Sequence, residues 1–277
     1  MKNYQVITIA LAALLLAVAP SGWAASTSQD FDNLGTSYTL KKHFGDSEAS
    51  IQSGGPSGNF VRLNYAGVTY NLNTIAFDRT QEGAAQKIIA DFDFRMYGGN
   101  RADGFGFVLL NTSTYGTSGA SPIEISVEPK AVNSLGIGFD IFKNELLGDP
   151  DNNHLSVHYN NSLVKNFSLS GTGIDLWSDK EINFYHAHIE ADLVNGKVSV
   201  ALTPYNGSSV KVIDNFLVPG LSPYKARVAF GAITGMYNAN HDLDNIQVSF
   251  QAVPVPGTAM LLGSGLLGLW PVLRKRS

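Results

Sequence analysis

Apolar and polar residues alternate with a period of two through most of this chain. Between Lys87 and Met96, Ile88, Ala90, Phe92, Phe94 and Met96 fall on one face, with Asp91, Asp93 and Arg95 on the other. That is the pattern of a strand with one side on a core. Leu155, Val157 and Tyr159 alternate with Ser156 and His158 in the same way. Tyr185, Ala187, Ile189, Ala191 and Leu193 alternate with His186, His188, Glu190 and Asp192, and Asn195-Gly196 then leads into Val198, Val200 and Leu202. Asn-Gly between two alternating runs predicts a hairpin, because these residues tolerate the positive φ of the tightest turns. Only residues 81–87 hint at a helical turn. Many one-faced strands separated by Gly, Asn and Ser predict an all-β fold of two packed antiparallel sheets.

The two ends follow a different pattern. Lys2 precedes an apolar run over residues 6–19, and Gly22-Trp23-Ala24 offers small residues where a signal peptidase cuts, so residues 1–25 read as a signal peptide cleaved after Ala24 or Ala25. The run stops at Pro20, short of the roughly 20 apolar residues an uncleaved anchor needs. At the other end, Val253-Pro254-Val255-Pro256-Gly257 precedes an apolar stretch over residues 258–273 and then Arg274-Lys275-Arg276-Ser277. A basic cluster after an apolar span stays on the cytoplasmic side. Residues 251–277 resemble the Pro-Glu-Pro C-terminal sorting signal that exosortases process in Gram-negative bacteria making extracellular polysaccharide, with Val255 where that signal has Glu. A plain C-terminal membrane anchor is the alternative. The expected handling partners are signal peptidase and exosortase, with transient membrane association through the tail.

Residues 26–250 remain as one domain, without a proline-rich linker, charge block or repeat, and about 225 residues bury a sizeable core. There is no cysteine, so packing and not disulfides must hold this exported chain. The formal net charge is −4, and without the cations Lys2, Arg274, Lys275 and Arg276 it is −8. Such a surface excludes a nucleic-acid partner, which needs a basic face.

The segment richest in chemistry is residues 138–160, "GFDIFKNELLGDPDNNHLSVHYN". Asp140, Phe142 and Asn144 stand at alternate positions, so an extended backbone can direct a carboxylate, a carbonyl and an amide oxygen to one point. Asp149 can bring a second carboxylate after a loop. Completed by water, this is the all-oxygen set that calcium prefers. A polar surface turn would use the same residue types for backbone reasons alone.

The order Asp, aromatic, Asn, Asp, His at Asp140, Phe142, Asn144, Asp149 and His154 resembles the metal loop of legume-type (L-type) lectins. "RADGFGFVL" at residues 101–109 resembles that family's Ala-Asp-Gly strand, "VAFGAITG" at 228–235 its late strand, and "HDLDNIQVSF" at 241–250 its closing strand. The resemblance implies a concanavalin A-like jelly-roll sandwich, calcium as cofactor and a glycan as ligand. By the same resemblance, Asp103 follows a cis peptide and accepts hydrogen bonds from two sugar hydroxyls, Asn144 donates one, and the ring of Phe142 covers the apolar face of the sugar. Gly116 or Gly119, in "YGTSGASP", is expected to supply a backbone N–H to the pocket, and the loop over residues 236–240 to set specificity. One position departs from the family. Its second, transition-metal site uses a Glu two residues before the first Asp, and Gly138 stands there, leaving His154 with only Asp140 and Asp149.

These observations predict an exported, calcium-dependent sugar-binding protein at the cell surface or in the extracellular matrix, and not an enzyme. A matrix protein of lectin-like fold without sugar binding is the second reading. A glycoside hydrolase is the third, but it needs two free carboxylates about the bond it cuts. In the metal segment the alternating positions read Gly138, Asp140 and Phe142, a single acid. His186 and His188, and also His241, Asp242 and Asp244, are expected to serve hydrogen bonding and solvation.

Overall fold

The computed structural model describes residues 25–252, so the predicted leader up to residue 24 and the tail from residue 253 lie outside the described residues. In chain order the strands begin with β1 (Ala25–Gln29), β2 (Tyr38–Phe44), β3 (Ser50–Ser53), β4 (Asn59–Asn64), β5 (Asn71–Phe77), β6 (Ala85–Tyr97) and β7 (Gly104–Asn111). After the short helix α1 (Thr112–Tyr115) come β8 (Leu135–Asp140), β9 (His154–Tyr159), β10 (Ser162–Ser168), β11 (Trp177–Ser178) and β12 (Tyr185–Asp192). The series closes with β13 (Lys197–Thr203), β14 (Val210–Leu217), β15 (Ala226–Thr234) and β16 (Asn240–Ala252). They form a nine-stranded sheet, ordered β14-β13-β12-β6-β16-β4-β3 with β1 on β16 and β11 on β6, and a seven-stranded sheet, ordered β10-β9-β8-β7-β15-β5-β2. All pairs are antiparallel except β11 with β6. This is the expected two-sheet antiparallel sandwich. Its edges reach slightly beyond residues 26–250, since Ala25 pairs with Phe250 and β16 runs to Ala252.

The inward face of β6 follows the alternation: Ile88, Ala90, Phe92, Phe94 and Met96 are buried. Phe92 meets Phe230 of β15 with ring centroids 5.0 Å apart, and Phe94 meets Phe139 of β8 at 5.1 Å, so aromatic rings from both sheets fill the space between them. The helical hint at residues 81–87 is overturned. Residues 81–84 form a bend and β6 starts at Ala85, because the long pairing of β6 with β12 and β16 extends back to that point. The seven-stranded sheet departs from simple one-sided burial: Ser156 and His158 of β9, expected to face outward, are buried as well.

The outer face of β6 and β12 orders its charges into a ladder. His186 stands opposite Asp93 and His188 opposite Asp91. His186 Nδ1 lies 2.8 Å from Asp93 Oδ1 and its Nε2 3.3 Å from Asp91 Oδ1. His188 Nδ1 lies 2.7 Å from the same Asp91 oxygen and its Nε2 3.2 Å from Glu190, which also pairs with Lys87. Both nitrogens of each ring face carboxylates, and only the imidazolium donates from both. The hydrogen bond to Asp93 raises the His186 pKa against burial; for His188 burial pulls downward, and the bonds to Asp91 and Glu190 outweigh it. A raised folded-state pKa contributes stability that is complete below the unfolded value, about 6.5, and lost as pH rises through the folded value. The melting temperature should therefore fall more between pH 6 and 8.5 in the wild type than in a His186→Gln/His188→Gln variant. Parallel melting curves for the two proteins would refute the ladder's role, and the paired comparison cancels the titration of acids elsewhere.

Candidate functional site

Asp140 ends β8 opposite His154, which begins β9, and the loop between them carries Phe142, Asn144 and Asp149. Asp140, Asp149 and His154 converge. His154 Nε2 lies 3.8 Å from Asp140 Oδ2 and 3.6 Å from Asp149 Oδ1, and all three side chains are about 1% exposed. One oxygen of each acid is held by the loop backbone: Phe142 N–H donates to Asp140 Oδ1 at 2.8 Å and Asn144 N–H to Asp149 Oδ2 at 2.7 Å. The other two, Asp140 Oδ2 and Asp149 Oδ1, are buried and have no hydrogen-bond partner. His154 Nδ1 sits 2.9 Å from the Asp151 carbonyl, which accepts the proton there and turns the Nε2 lone pair toward the acids.

Separations of 3.6–3.8 Å are too long for hydrogen bonds and suit atoms that share an ion roughly 2.0–2.6 Å from each. Two unpaired carboxylate oxygens in a buried site are costly, and a shared cation removes that cost. Burial pushes Asp140 up to about 9, with the Asp149 and Asp103 charges adding to it, and burial also raises Asp149. The three residues form a candidate metal centre. Asn144 precedes a 3₁₀ turn over Glu145–Leu147 without using its side chain as a cap, and Gly148, at φ 82°, returns the chain toward Asp149. All five predicted metal-loop residues thus lie in one loop and its flanking strand ends.

Gly138 has a reason that the sequence did not supply. Gly231, Gly106 and Gly138 are register neighbours across β15, β7 and β8. A Cβ on any of them would run into the backbone carbonyl of Ile125, Ser126 or Val127 respectively. The three glycines form a trench in which residues 125–127 lie across the strands. This segment, continued by Pro129 over Gly136, covers the outer face of the seven-stranded sheet, which is why Ser156 and His158 are buried. At Gly138 the room for a side chain is already taken by the Val127 carbonyl and Ser156 Oγ.

Asp103 sits beside the metal loop. The peptide before it is cis, as the resemblance implied. Its N–H donates to the Ile233 carbonyl at 3.2 Å and its carbonyl accepts from Ile141 N–H at 3.0 Å, so β15 and the end of β8 hold it from two sides. Its carboxylate is half-buried and has no protein donor among the described residues, and burial lifts it to about 7. Gly235 borders this carboxylate, where a Cβ would stand 3.3 Å from Oδ2. Phe142 packs on Tyr237, with centroids 5.6 Å apart. Arg101 fastens the arrangement by donating to the Ile141 carbonyl at 3.2 Å and the Asn152 carbonyl at 3.0 Å. Sequence reasoning missed Arg101 and the Phe142–Tyr237 pair. Arg101 adjoins the Ala-Asp-Gly motif, whereas nothing local links Phe142 to Tyr237.

No family model matches the chain. It is 25% identical over 203 residues to the L-type lectin-domain containing receptor kinase V.9 of Arabidopsis thaliana, a match over 66% of this chain and 30% of that relative's length. Among solved structures, lectin II from Ulex europaeus superimposes with a TM-score of 0.57 at 13% identity, covering 82% of this chain and 98% of the lectin. The VIP36 exoplasmic/lumenal domain in its Ca²⁺/Man3GlcNAc-bound form gives 0.51 at 14% identity, covering 78% and 86%. The fold is that of the legume-type lectins.

Within this fold, Gly116 and Gly119 lie away from Asp103. Asp103 adjoins the start of β7 and α1 follows its end, so about 23 Å of strand separates them. Gly116 N–H already donates to the Thr112 carbonyl, and the Gly119 carbonyl accepts from Arg227. The expectation that either glycine completes the pocket is therefore corrected. The connection over residues 122–134 crosses the sheet through the trench, and no local pattern in the loop before it encodes that crossing.

Proposed function

We infer that this chain is an exported, calcium-dependent carbohydrate-binding protein acting on cell-surface or extracellular polysaccharide. The observation that carries this reading is the Asp103 carboxylate. It lacks a protein donor among the described residues, and Phe142, which the Asp140–Asp149 loop carries, packs on Tyr237. A partly desolvated acceptor next to a loop that carries an apolar ring suits a sugar, which offers hydroxyl donors at its edge and C–H bonds on its face. Calcium would take Asp140, Asp149, the Asn144 amide oxygen and the Phe142 carbonyl, with His154 bordering the acids. The lectin fold, shared with the Ca²⁺/Man3GlcNAc-bound VIP36 domain, supports the pairing of cation and glycan. A hydrolase reading is weaker, because the acids flanking Asp103 face inward toward a cation site instead of across an open cleft. Export rests on the leader and the basic-ended tail.

Glycan-array binding of the purified protein, with and without a calcium chelator, tests this reading directly. Asp103→Asn should weaken any glycan found by about ten- to a hundredfold, the worth of hydrogen bonds to a charged acceptor at roughly 1.5–3 kcal/mol, while calcium affinity stays within a few-fold. A variant that binds the glycan as tightly as wild type would remove Asp103 from the pocket.

A further inference from the structure

A second cleft lies on the outer face of the nine-stranded sheet, and none of its residues belongs to the metal loop. Its floor is Asp93 and Arg95 of β6 with His186 of β12, and loops near Gly54, Asn183 and Tyr205 wall it on three sides. This hollow of about 290 Å³ continues past Arg95, Asn183 and Tyr205 into an adjoining one of about 530 Å³. Together they form an open groove of the size that small ligands use.

The floor is preorganised. Arg95 donates from Nε to the fully buried Asp242 at 2.7 Å and from Nη1 to Glu181 at 2.8 Å. Its guanidinium is stacked over Phe184, Phe60 and Tyr97 at 4.5, 4.9 and 4.9 Å. Arg62 also donates to both oxygens of Asp242, so two guanidinium groups are fixed about one buried acid. Arg95 Nη2 has no protein partner among the described residues. His186 is likewise held by Asp93 and Asp91. At the rim, Glu181 and Tyr205 are more than 60% exposed, and the Asn183 amide is exposed without a partner among the described residues.

We propose that this groove is a second saccharide site, independent of calcium, that takes a segment of a neutral polysaccharide. The chemistry selects against ions of either sign. An anion would meet Glu181 and Asp93, and a cation would meet Arg95, whereas a neutral polyol finds fixed acceptors and donors side by side. The Tyr205 ring offers the flat apolar surface on which a sugar's C–H face rests. Groups already locked by the protein lose little freedom on binding, which favours a ligand as flexible as a glycan. Lying on the other sheet from Asp103, the groove would let a single chain grip two polymer strands, or one strand twice, with the gain in avidity that linked sites bring.

The test uses the full chain and neutral gluco-, manno- and galacto-hexasaccharides as probes, with binding followed by saturation-transfer NMR and calorimetry in the presence of chelator. Asp103→Ala, under chelator, is expected to keep one binding event. Adding Tyr205→Ala to that background should weaken it at least tenfold, and Tyr205→Phe, which keeps the ring, should restore it. Binding abolished by chelator or by Asp103→Ala alone overturns the second site and leaves the Asp103 pocket standing. Binding indifferent to Tyr205→Ala in the Asp103→Ala background also overturns it. Binding lost with Tyr205→Ala but not with Asp103→Ala supports the groove and counts against the Asp103 pocket. Failure of the wild type to bind any of the three overturns the proposal.

Discussion

Asp149→Ala should reduce calcium affinity by more than about 100-fold and leave thermal stability indifferent to chelator. Asp149 supplies one of the two buried carboxylate oxygens that have no hydrogen-bond partner, and calcium affinity follows the number of carboxylates offered. Changes in residues that merely orient a ligand cost about 10–100-fold, so loss of a ligand itself should exceed that range. In the wild type, calcium at a hundred times its dissociation constant should add about 2.7 kcal/mol to stability, because the site exists only in the folded state. The variant should gain almost none of this. In chelator the order of stability should narrow or reverse, since Asp149→Ala also removes a buried anion that nothing neutralises. Calorimetric titration and melting in calcium and in chelator read both quantities. A wild type whose melting ignores calcium, or a variant that keeps the full calcium response, would remove the cation from this site.

Gly138→Glu should destabilise the protein by about 3 kcal/mol and bring no second metal. By resemblance, a Glu here would complete a transition-metal site with Asp140, Asp149 and His154. The trench forbids it. A Cβ at Gly138 would collide with the Val127 carbonyl and Ser156 Oγ, and Val127 also packs its side chain against Gly104, so the covering segment cannot lift at one residue alone. Overpacking costs about 1–3 kcal/mol, and the upper end applies because the atom struck is a backbone carbonyl that cannot rotate aside. Gly138→Ala should show most of the same loss, which separates the steric effect from the added charge. Urea unfolding gives the stability, and metal content by mass spectrometry gives the stoichiometry. A Gly138→Glu protein as stable as wild type and carrying a second ion would refute the trench.

The sequence by itself determined the period-two strands, the inward face of β6 and the nearness of Asp140, Asp149 and His154. Alternation reports which face of a strand meets the core, and Ile88 to Met96 sit where that alternation puts them. That convergence was legible because the three residues are close along the chain, so it needs only one turn and two paired strand ends. Asp103 was legible only through its motif, since its place beside that loop depends on β7 pairing with β8.

The tertiary structure alone decided what covers the other faces. Period-two alternation in β9 assigned Ser156 and His158 to solvent, but residues 125–129 lie over that sheet and bury them. A glycine row made of Gly106, Gly138 and Gly231 is invisible along the chain, because its members become neighbours only when three strands pair. The same holds for Phe142 against Tyr237, and for Arg95, which alternation places outward and which loops and Asp242 enclose. Gly116 and Gly119 went astray for this reason too. Local spacing fixes a residue's neighbours within a few positions, whereas the partner across a sheet or under a crossing loop is set by long-range pairing that no local pattern encodes.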